Sequence, residues 1–135
     1  NDKVYFANSD YITREPGGIA AVRLRTGEPV WFIDAHEPVC ERCSPALLAA
    51  VTVIPGALFS GAYDGLFRAY DSNDGSVLWE YDTNGDYDTV NGVEAKGGSI
   101  NGPGPVVVDG MVYVNSGYAA FGGRAGNVLL AFGVD

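Results

Sequence analysis

Residues 20–31 read AAVRLRTGEPVW and residues 68–79 read RAYDSNDGSVLW, so the chain carries one short pattern twice, 48 residues apart. In each copy a small residue is followed six positions later by a glycine and ten positions later by a tryptophan. These residues are Ala21, Gly27 and Trp31 in the first copy and Ala69, Gly75 and Trp79 in the second.

A second signal runs in step with the first. KVYFA begins at Lys3, ALFSG at Ala57 and MVYVN at Met111, each 54 residues after the last. A period of about 40–50 residues in a strand-rich sequence is typical of propeller blades. Because a closed propeller has about 4–8 blades, and an open array exposes unpaired strand edges, we predict an all-β fold: two to three antiparallel β-propeller blades of a larger propeller.

Composition supports this fold and excludes some functions. The 135 residues include 19 Gly, 8 Tyr and 6 Phe, as in turn-rich β proteins. The net charge is −9 and the 8 basic residues are scattered, whereas a nucleic-acid binder needs clustered Lys and Arg. The longest apolar run, 47–59, is broken by Thr52, Pro55 and Gly56 and is too short to span a bilayer. We therefore expect no nucleic-acid partner and no membrane span.

Short apolar runs between turn residues predict the strands. The clearest hairpin turn is Asp109-Gly110, and the Ser-Pro start of 44–51 predicts one helical turn. The predicted strands are 4–8, 19–24, 29–33, 49–54, 57–62, 66–70, 77–81, 106–108, 111–115 and 127–134. The predicted units are a partial blade at 1–35, a Cys-containing connection at 36–48, a complete blade at 49–83, a Gly/Asn-rich loop at 84–105 and C-terminal blade strands at 106–135.

The repeated residues have a structural interpretation. The Asp71 carboxylate can accept N–H groups of its turn, and Gly75 can take a positive φ there. Trp79 offers a large flat face to a neighbouring blade. The first copy has Arg23 in place of the aspartate, and since Arg accepts no hydrogen bonds we expect that turn to be held differently. The predicted blade-docking residues are Ala69, Asp71, Gly75, Trp79 and Trp31.

The string A-x-D-x-x-x-G-x-x-x-W at 69–79 resembles the tryptophan-docking motif of pyrroloquinoline quinone (PQQ) type propellers. Residues 43–83, TVNGVEAKGGSINGPGP at 89–105 and GMVYVNSGYAAFGGRAGNVLLAF at 110–132 resemble the C-terminal blades of polyvinyl-alcohol dehydrogenase-like quinoproteins. The resemblance covers roughly residues 19–135. It implies an eight-bladed propeller, a periplasmic or extracellular location, PQQ with calcium on the central axis, alcohol oxidation, and an electron acceptor such as a cytochrome.

The resemblance also implies which residues approach the quinone. Glycines would let the backbone come close to a flat ligand, and Asn101 would donate to a carboxylate of PQQ. The alternative is that these glycines only shape tight turns, and that Lys96 and Arg124 are surface charges rather than cofactor partners. In such enzymes the catalytic base and calcium ligands come mostly from earlier blades, so we assign none. The cofactor candidates are Gly97, Gly98, Ser99, Ile100, Asn101, Gly117, Tyr118, Phe121, Gly122 and Gly123.

Cys40 and Cys43 lie in the sequence Cys-Glu-Arg-Cys. Covalent haem needs a His after the second Cys, and Ser44 stands there instead. Zinc bound by His36 and the two cysteines would lack a fourth ligand nearby. A thioredoxin-like role lacks the strand-to-helix context. A disulfide in an exported protein is the favoured prediction, within this loop or to another part of the protein.

Two other clusters carry little chemistry. Asp82, Asn84, Asp86 and Asp88 alternate as in a calcium loop, but the Gly and Glu of an EF-hand are missing, which favours an acidic solvated loop. His36 with Asp34 and Ser44 lacks the elbow and oxyanion loop of a catalytic triad.

Two functions therefore stay open. One is the C-terminal segment of a secreted PQQ-dependent alcohol dehydrogenase. The other is a non-catalytic extracellular PQQ-like propeller acting as a scaffold or binding module, which the Arg23 departure favours. Propellers host both roles. In either case the remaining blades, from the same protein or another chain, are expected partners.

Overall fold

The computed structural model describes residues 2–13, 15 and 17–133. These residues form twelve strands and one short 3-10 turn, and they contain no α-helix. The strands are β1 (Lys3–Asn8), β2 (Gly18–Arg23), β3 (Pro29–Asp34), β4 (Thr52–Ile54), β5 (Ala57–Gly61), β6 (Leu66–Asp71), β7 (Val77–Asp82), β8 (Asp86–Tyr87), β9 (Ala95–Lys96), β10 (Val106–Val108), β11 (Met111–Ser116) and β12 (Val128–Gly133); the 3-10 turn is Ala120–Gly122.

The strands form three main sheets and one ribbon. The first sheet has the order β1-β2-β3, the second β4-β5-β6-β7 and the third β10-β11-β12, while β8 pairs with β9. Every strand pair among the described residues is antiparallel. The 54-residue signal falls on β1, β5 and β11, so these three strands are equivalent. The all-β prediction and the propeller-blade arrangement are confirmed.

The two tryptophan repeats have the same local geometry. Ala21 lies opposite Trp31 across β2 and β3, and Ala69 lies opposite Trp79 across β6 and β7. In both pairs the register shifts immediately after the alanine. A small residue opposite the indole leaves room for the ring, and the shift increases the local twist.

Two hydrophobic cores lie between the sheets rather than within one of them. The first joins Ile19 of the first sheet with Leu58 and Tyr70 of the second. The second joins Phe67 of the second sheet with Val114 of the third. Each fully buried side chain of this size contributes about 1.5–3 kcal/mol to the free energy of unfolding, so the sheets depend on one another for stability.

The helical turn expected at 44–51 is wrong, and the strand expected from Ala49 begins at Thr52. Distant segments take the backbone groups that a helix would use. Tyr63 N donates to Ala46 O at 2.9 Å, and Ala50 N donates to Gly102 O at 3.1 Å. Ala49 also forms a parallel bridge with Gly102. These tertiary bonds override the local helix signal.

Candidate functional site

Three loops meet at one end of the sheets. They join β1 to β2, β5 to β6 and β11 to β12, which are equivalent pairs of strands, so they project in the same direction. Two further segments contact them, as shown below. We call this surface the loop face and define it as residues 9–13, 36–46, 62–65, 97–102 and 117–127.

Two tyrosines connect the loops of all three sheets. The Tyr63 hydroxyl donates to the carbonyl of Ala120, and the Tyr11 hydroxyl donates to the carbonyl of Phe121 at 3.2 Å. The Tyr11 and Tyr63 rings meet edge to face with centroids 5.2 Å apart. Burial, and then the neighbouring Tyr11, raise the pKa of Tyr63 above its ordinary value, so this hydroxyl stays a donor. Neither tyrosine was predicted as a site residue.

The turn held by these tyrosines has an unusual backbone. Phe121 has φ of 62°, in the left-handed region, and is 82% exposed. Such a conformation costs free energy in a bulky residue. The two tyrosine hydroxyls bind the carbonyls of Ala120 and Phe121, which fixes the turn in this geometry.

Ser99 connects two of the loop-face segments. It is fully buried, and its Oγ accepts a hydrogen bond from Arg124 N at 2.8 Å. Ser99 N donates to Arg124 O at 2.9 Å, while Ser99 O accepts from Gly117 N at 2.9 Å and from Tyr118 N at 3.0 Å. All its polar groups are therefore used to position 117–124.

Several candidate glycines lie against the chain itself. A Cβ on Gly98 would overlap Arg124 O, and one on Gly117 would overlap the backbone of Gly126. A Cβ on Gly123 would lie 2.6 Å from Ser99 Oγ. Gly98 and Gly117 therefore allow two backbone segments to pack closely, and Gly123 allows side chains to pack against its backbone. Gly122, by contrast, has open space around it and a φ of +88°.

Asn101 and Tyr118 keep groups that a ligand can use. Asn101 Oδ1 accepts from Gly102 N at 2.7 Å, and its Nδ2 has no partner within the part of the chain that the structure describes. Tyr118 is 56% exposed. Its ring lies beside Gly102, because a Cβ added to Gly102 would be 3.7 Å from Tyr118 Cε1. The Tyr118 ring thus lies beside the residue that follows Asn101, and an amide donor with a flat ring is a set that fits a planar, acidic group such as PQQ.

The cysteines form a disulfide with each other. Cys40 is bonded to Cys43, and Cys43 N donates to Cys40 O at 3.0 Å. Arg124 Nη2 lies 3.7 Å from Cys40 Sγ and 3.8 Å from Cys43 Sγ. Since both sulfurs are consumed, the zinc alternative with His36 does not apply.

His36 has a different partner. Its Nε2 lies 2.8 Å from Asp64 Oδ2, and the two side chains are 6% and 0% exposed. The same Asp64 oxygen accepts from Val39 N at 3.2 Å, and Oδ1 accepts from Leu66 N at 3.2 Å. This pair fixes the 36–46 connection to the second sheet. The sequence offered no signal for it, because Asp64 lies 28 residues away.

Two of the predicted docking residues, Trp31 and Gly75, lie where the first sheet meets the second. Trp31 packs on Gly75, and its indole N–H donates to Ser72 O at 3.4 Å. Asp71 Oδ1 accepts from Asn73 N at 2.6 Å in the turn before Gly75, whose φ is +79°.

Trp79 contacts a different sheet from Trp31, and the turn of the first copy is held by a different side chain from that of the second copy. Trp79 lies edge-on to Phe132 of the third sheet, with centroids 5.0 Å apart. In the first copy, the turn that carries Arg23 instead uses Thr26 Oγ1, which accepts from Glu28 N at 3.3 Å.

The acidic segment at 82–96 forms an open hollow. Its lining includes Asp86, Asp88, Glu94 and Lys96. Asp82 Oδ1 accepts from Asn84 at both N and Nδ2. In residues 2–13, 15 and 17–133, no three His, Cys, Asp or Glu side chains are arranged to hold a metal ion. No helix in these ranges is long and apolar enough to cross a bilayer.

The sheet order, the interlocking cores and the repeated alanine–tryptophan pairs define a β-propeller built from PQQ-like repeats. Residues 15–134 match the family PQQ_2, described as "Outer membrane protein assembly factor BamB". The chain belongs to this family.

Two curated relatives are polyvinylalcohol dehydrogenases. The one from Pseudomonas sp is 46% identical over 149 residues, covering 99% of this chain and 23% of the relative. The one from Sphingopyxis sp. (strain 113P3) is 42% identical over 152 residues, covering 98% of this chain and 23% of the relative. The chain therefore spans less than a quarter of the length of these relatives.

Solved structures agree. The quinohemoprotein alcohol dehydrogenase ADHIIG from Pseudomonas putida HK5 matches with a TM-score of 0.68 and 25% identity, over 98% of this chain and 18% of that one. BamB from Moraxella catarrhalis matches with a TM-score of 0.61 and 21% identity, over 98% of this chain and 34% of that one, and shows the fold alone.

Proposed function

We propose that the chain supplies the C-terminal blades of a secreted, eight-bladed PQQ-dependent alcohol dehydrogenase, and that its loop face forms part of the wall around the cofactor. The observation that carries this proposal is the open Asn101 donor, with the exposed ring of Tyr118 beside the next residue, Gly102. The similarity of this chain to part of the length of several dehydrogenases supports the proposal. The disulfide supports an oxidising, extracellular or periplasmic location.

PQQ would supply the electron acceptor for alcohol oxidation, and calcium would polarise the reacting carbonyl of the quinone. The residues of this chain would hold and orient the quinone. Asn101 Nδ2 would donate to a carboxylate, and the Tyr118 ring would lie against the flat ring system. Ser99 and Gly117 would fix the Tyr118 backbone, as their hydrogen bonds indicate. Gly98, Phe121, Gly122 and Gly123 would complete the wall.

The remaining parts of the reaction lie with the rest of the protein. The catalytic base, the calcium ligands and the acceptor that takes the electrons, such as a cytochrome, would come from other blades or from a partner. The described residues of this chain would form part of the supporting wall.

The test uses the complete protein. Asn101→Ala removes the donor but leaves the backbone, and Asn115→Ala, at an exposed position of β11, is the matched control. We expect Asn101→Ala to weaken PQQ binding by about tenfold or more, since a hydrogen bond to a charged group contributes about 1.5–3 kcal/mol. An unchanged dissociation constant would remove Asn101 from the cofactor site.

The second candidate is a non-catalytic propeller that serves as a scaffold or binding module. The packing of Gly98, Gly117 and Gly123 against the chain's own atoms favours it, because this packing explains those glycines without a ligand. Mass spectrometry of small molecules released from the native complete protein separates the two candidates. Stoichiometric PQQ supports the enzyme; no PQQ, even after PQQ and calcium are added back, supports the scaffold.

A further inference from the structure

We propose that the Cys40–Cys43 disulfide is a site of thiol–disulfide exchange, that its substrate is a dithiol reductant, and that Arg124 stabilises the thiolate released. This inference goes beyond the proposed function and does not depend on PQQ. It rests on the position of the Arg124 guanidinium over both sulfurs.

The disulfide lies at the surface of the loop face. Cys40 and Cys43 are half-buried, and the two residues between them, Glu41 and Arg42, are exposed. A short turn, closed by Cys43 N donating to Cys40 O, holds the two cysteines together. Exchange requires that a thiolate reach one of the sulfurs, and this placement permits it.

The disulfide adds little to the stability of the fold. Only three positions separate Cys40 from Cys43. In the chain-entropy account the stabilisation grows with the number of residues in the closed loop, and this loop is short. Such a small ring constrains the unfolded chain weakly.

Other contacts hold the connection that carries the disulfide. His36 Nε2 lies 2.8 Å from the buried Asp64 carboxylate, which also accepts from Val39 N. On the other side of the cysteines, Tyr63 N donates to Ala46 O at 2.9 Å. The connection is thus tied to the second sheet at both ends, and reduction of the disulfide leaves these ties in place.

Arg124 is presented to the sulfurs from a fixed backbone. Its N donates to Ser99 Oγ and its O accepts from Ser99 N, and Ser99 is fully buried. A guanidinium group carries a positive charge. A positive charge next to a cysteine favours the thiolate over the thiol, so Arg124 favours departure of a sulfur from the disulfide.

The exchange balances as follows. One thiolate of the dithiol attacks either sulfur, the Cys40–Cys43 bond breaks, and a mixed disulfide forms while the other Sγ leaves as a thiolate beside Arg124. The second thiolate of the reductant then attacks the mixed disulfide and releases the remaining cysteine. The reductant departs as its own disulfide, and the cysteine pair has gained two electrons and two protons.

The test measures reduction of the disulfide in the complete, folded protein. The protein is incubated with excess reduced dithiothreitol, samples are taken at intervals, free thiols are alkylated, and the products are counted by mass spectrometry. Near-UV circular dichroism reports whether the protein stays folded. The variants are Arg124→Gln and, as a control with the same change of charge, Arg25→Gln in the β2–β3 turn at the other end of the first sheet.

We expect wild-type protein to be reduced while folded, and Arg124→Gln to be reduced at least about threefold more slowly, because a less stabilised thiolate is a poorer leaving group. Arg25→Gln should match wild type. Equal rates for wild type and Arg124→Gln, or reduction only upon unfolding, would overturn the proposal. The hydrogen bonds of Arg124 to Ser99 use its backbone, so the Gln variant keeps them.

Discussion

The indole ring of Trp31 in the first sheet lies directly on Gly75 in the second. A Cβ on Gly75 would lie 2.8 Å from Trp31 Cε3, closer than carbon atoms approach without repulsion. The contact therefore requires glycine for two reasons, the space taken by the ring and the backbone φ of +79°. The junction between the two sheets depends on this absence of a side chain.

Gly75→Ala is expected to lower the free energy of unfolding by about 2–4 kcal/mol, since it adds overpacking to left-handed strain. Gly27→Ala is the matched control. Gly27 holds the equivalent position of the first copy with φ of +71°, but nothing lies within 4 Å of its Cβ position. It should cost about 1–2 kcal/mol from strain alone. Denaturant unfolding of both variants measures the difference, and equal losses would show that the Trp31 contact adds nothing.

Trp79 makes the corresponding contact toward the third sheet. It lies near Phe132 and Phe67 and is 37% exposed. Trp79→Ala is expected to lower the free energy of unfolding by about 2–4 kcal/mol, less than full burial would give. Leu78→Ala, at the more exposed neighbouring position, should cost less than about 1 kcal/mol. Thermal unfolding compares the two, and similar shifts would mean that Trp79 is not docked.

Thr83 connects the second and third sheets through a buried hydroxyl. Its Oγ1 donates to Gly65 O at 2.7 Å and lies 2.7 Å from Ser116 Oγ. Thr83→Val keeps the shape of the side chain but removes these hydrogen bonds. It should lower the free energy of unfolding by about 1–3 kcal/mol. Thr13→Val, which removes an exposed hydroxyl that donates to Asp10 O, should have little effect. A neutral Thr83→Val would show that the hydroxyl pair is dispensable.

The buried tyrosines predict sensitivity to alkali. Burial raises the pKa of Tyr63 and of Tyr70 above their ordinary values. The unfolded chain therefore loses these protons first, so the stabilisation is complete below a pH of about 10 and decreases as pH rises further. The melting temperature should fall above that pH. Tyr70→Phe should flatten the fall, and an unchanged fall in that variant would show that the buried Tyr70 hydroxyl does not contribute to it.

Local sequence signals predicted most strands closely. Val106–Val108 matches its prediction, and β11 extends one residue beyond the expected 111–115. These strands are predictable because the turn residues and apolar runs that define them are close together in the sequence. The helical turn at 44–51 failed since Ala46 and Ala50 bond with Tyr63 and Gly102 far away in sequence. Such bonds leave no local pattern.

The candidate site likewise combines residues that the sequence predicted with residues that only the structure shows. Ser99 and Asn101 were named from family resemblance, and their roles toward a cofactor remain predictions. The sequence did not predict a role for Tyr11, because its hydroxyl donates to Phe121 O, 110 residues later. The Arg124 guanidinium over the disulfide likewise joins residues more than 80 positions apart. Only the folded chain brings these groups together.

The position of Trp31 also has a consequence for biosynthesis. A chain leaves the ribosome from its N-terminus, so the first sheet emerges before the glycine that covers its tryptophan. Until Gly75 follows, Trp31 stays exposed to water, and when the second sheet is made Trp79 takes over as the uncovered ring. During translation the exposed apolar edge therefore moves from the first sheet to the second. A pause between the synthesis of the two sheets leaves that edge open to chaperones or to other nascent chains.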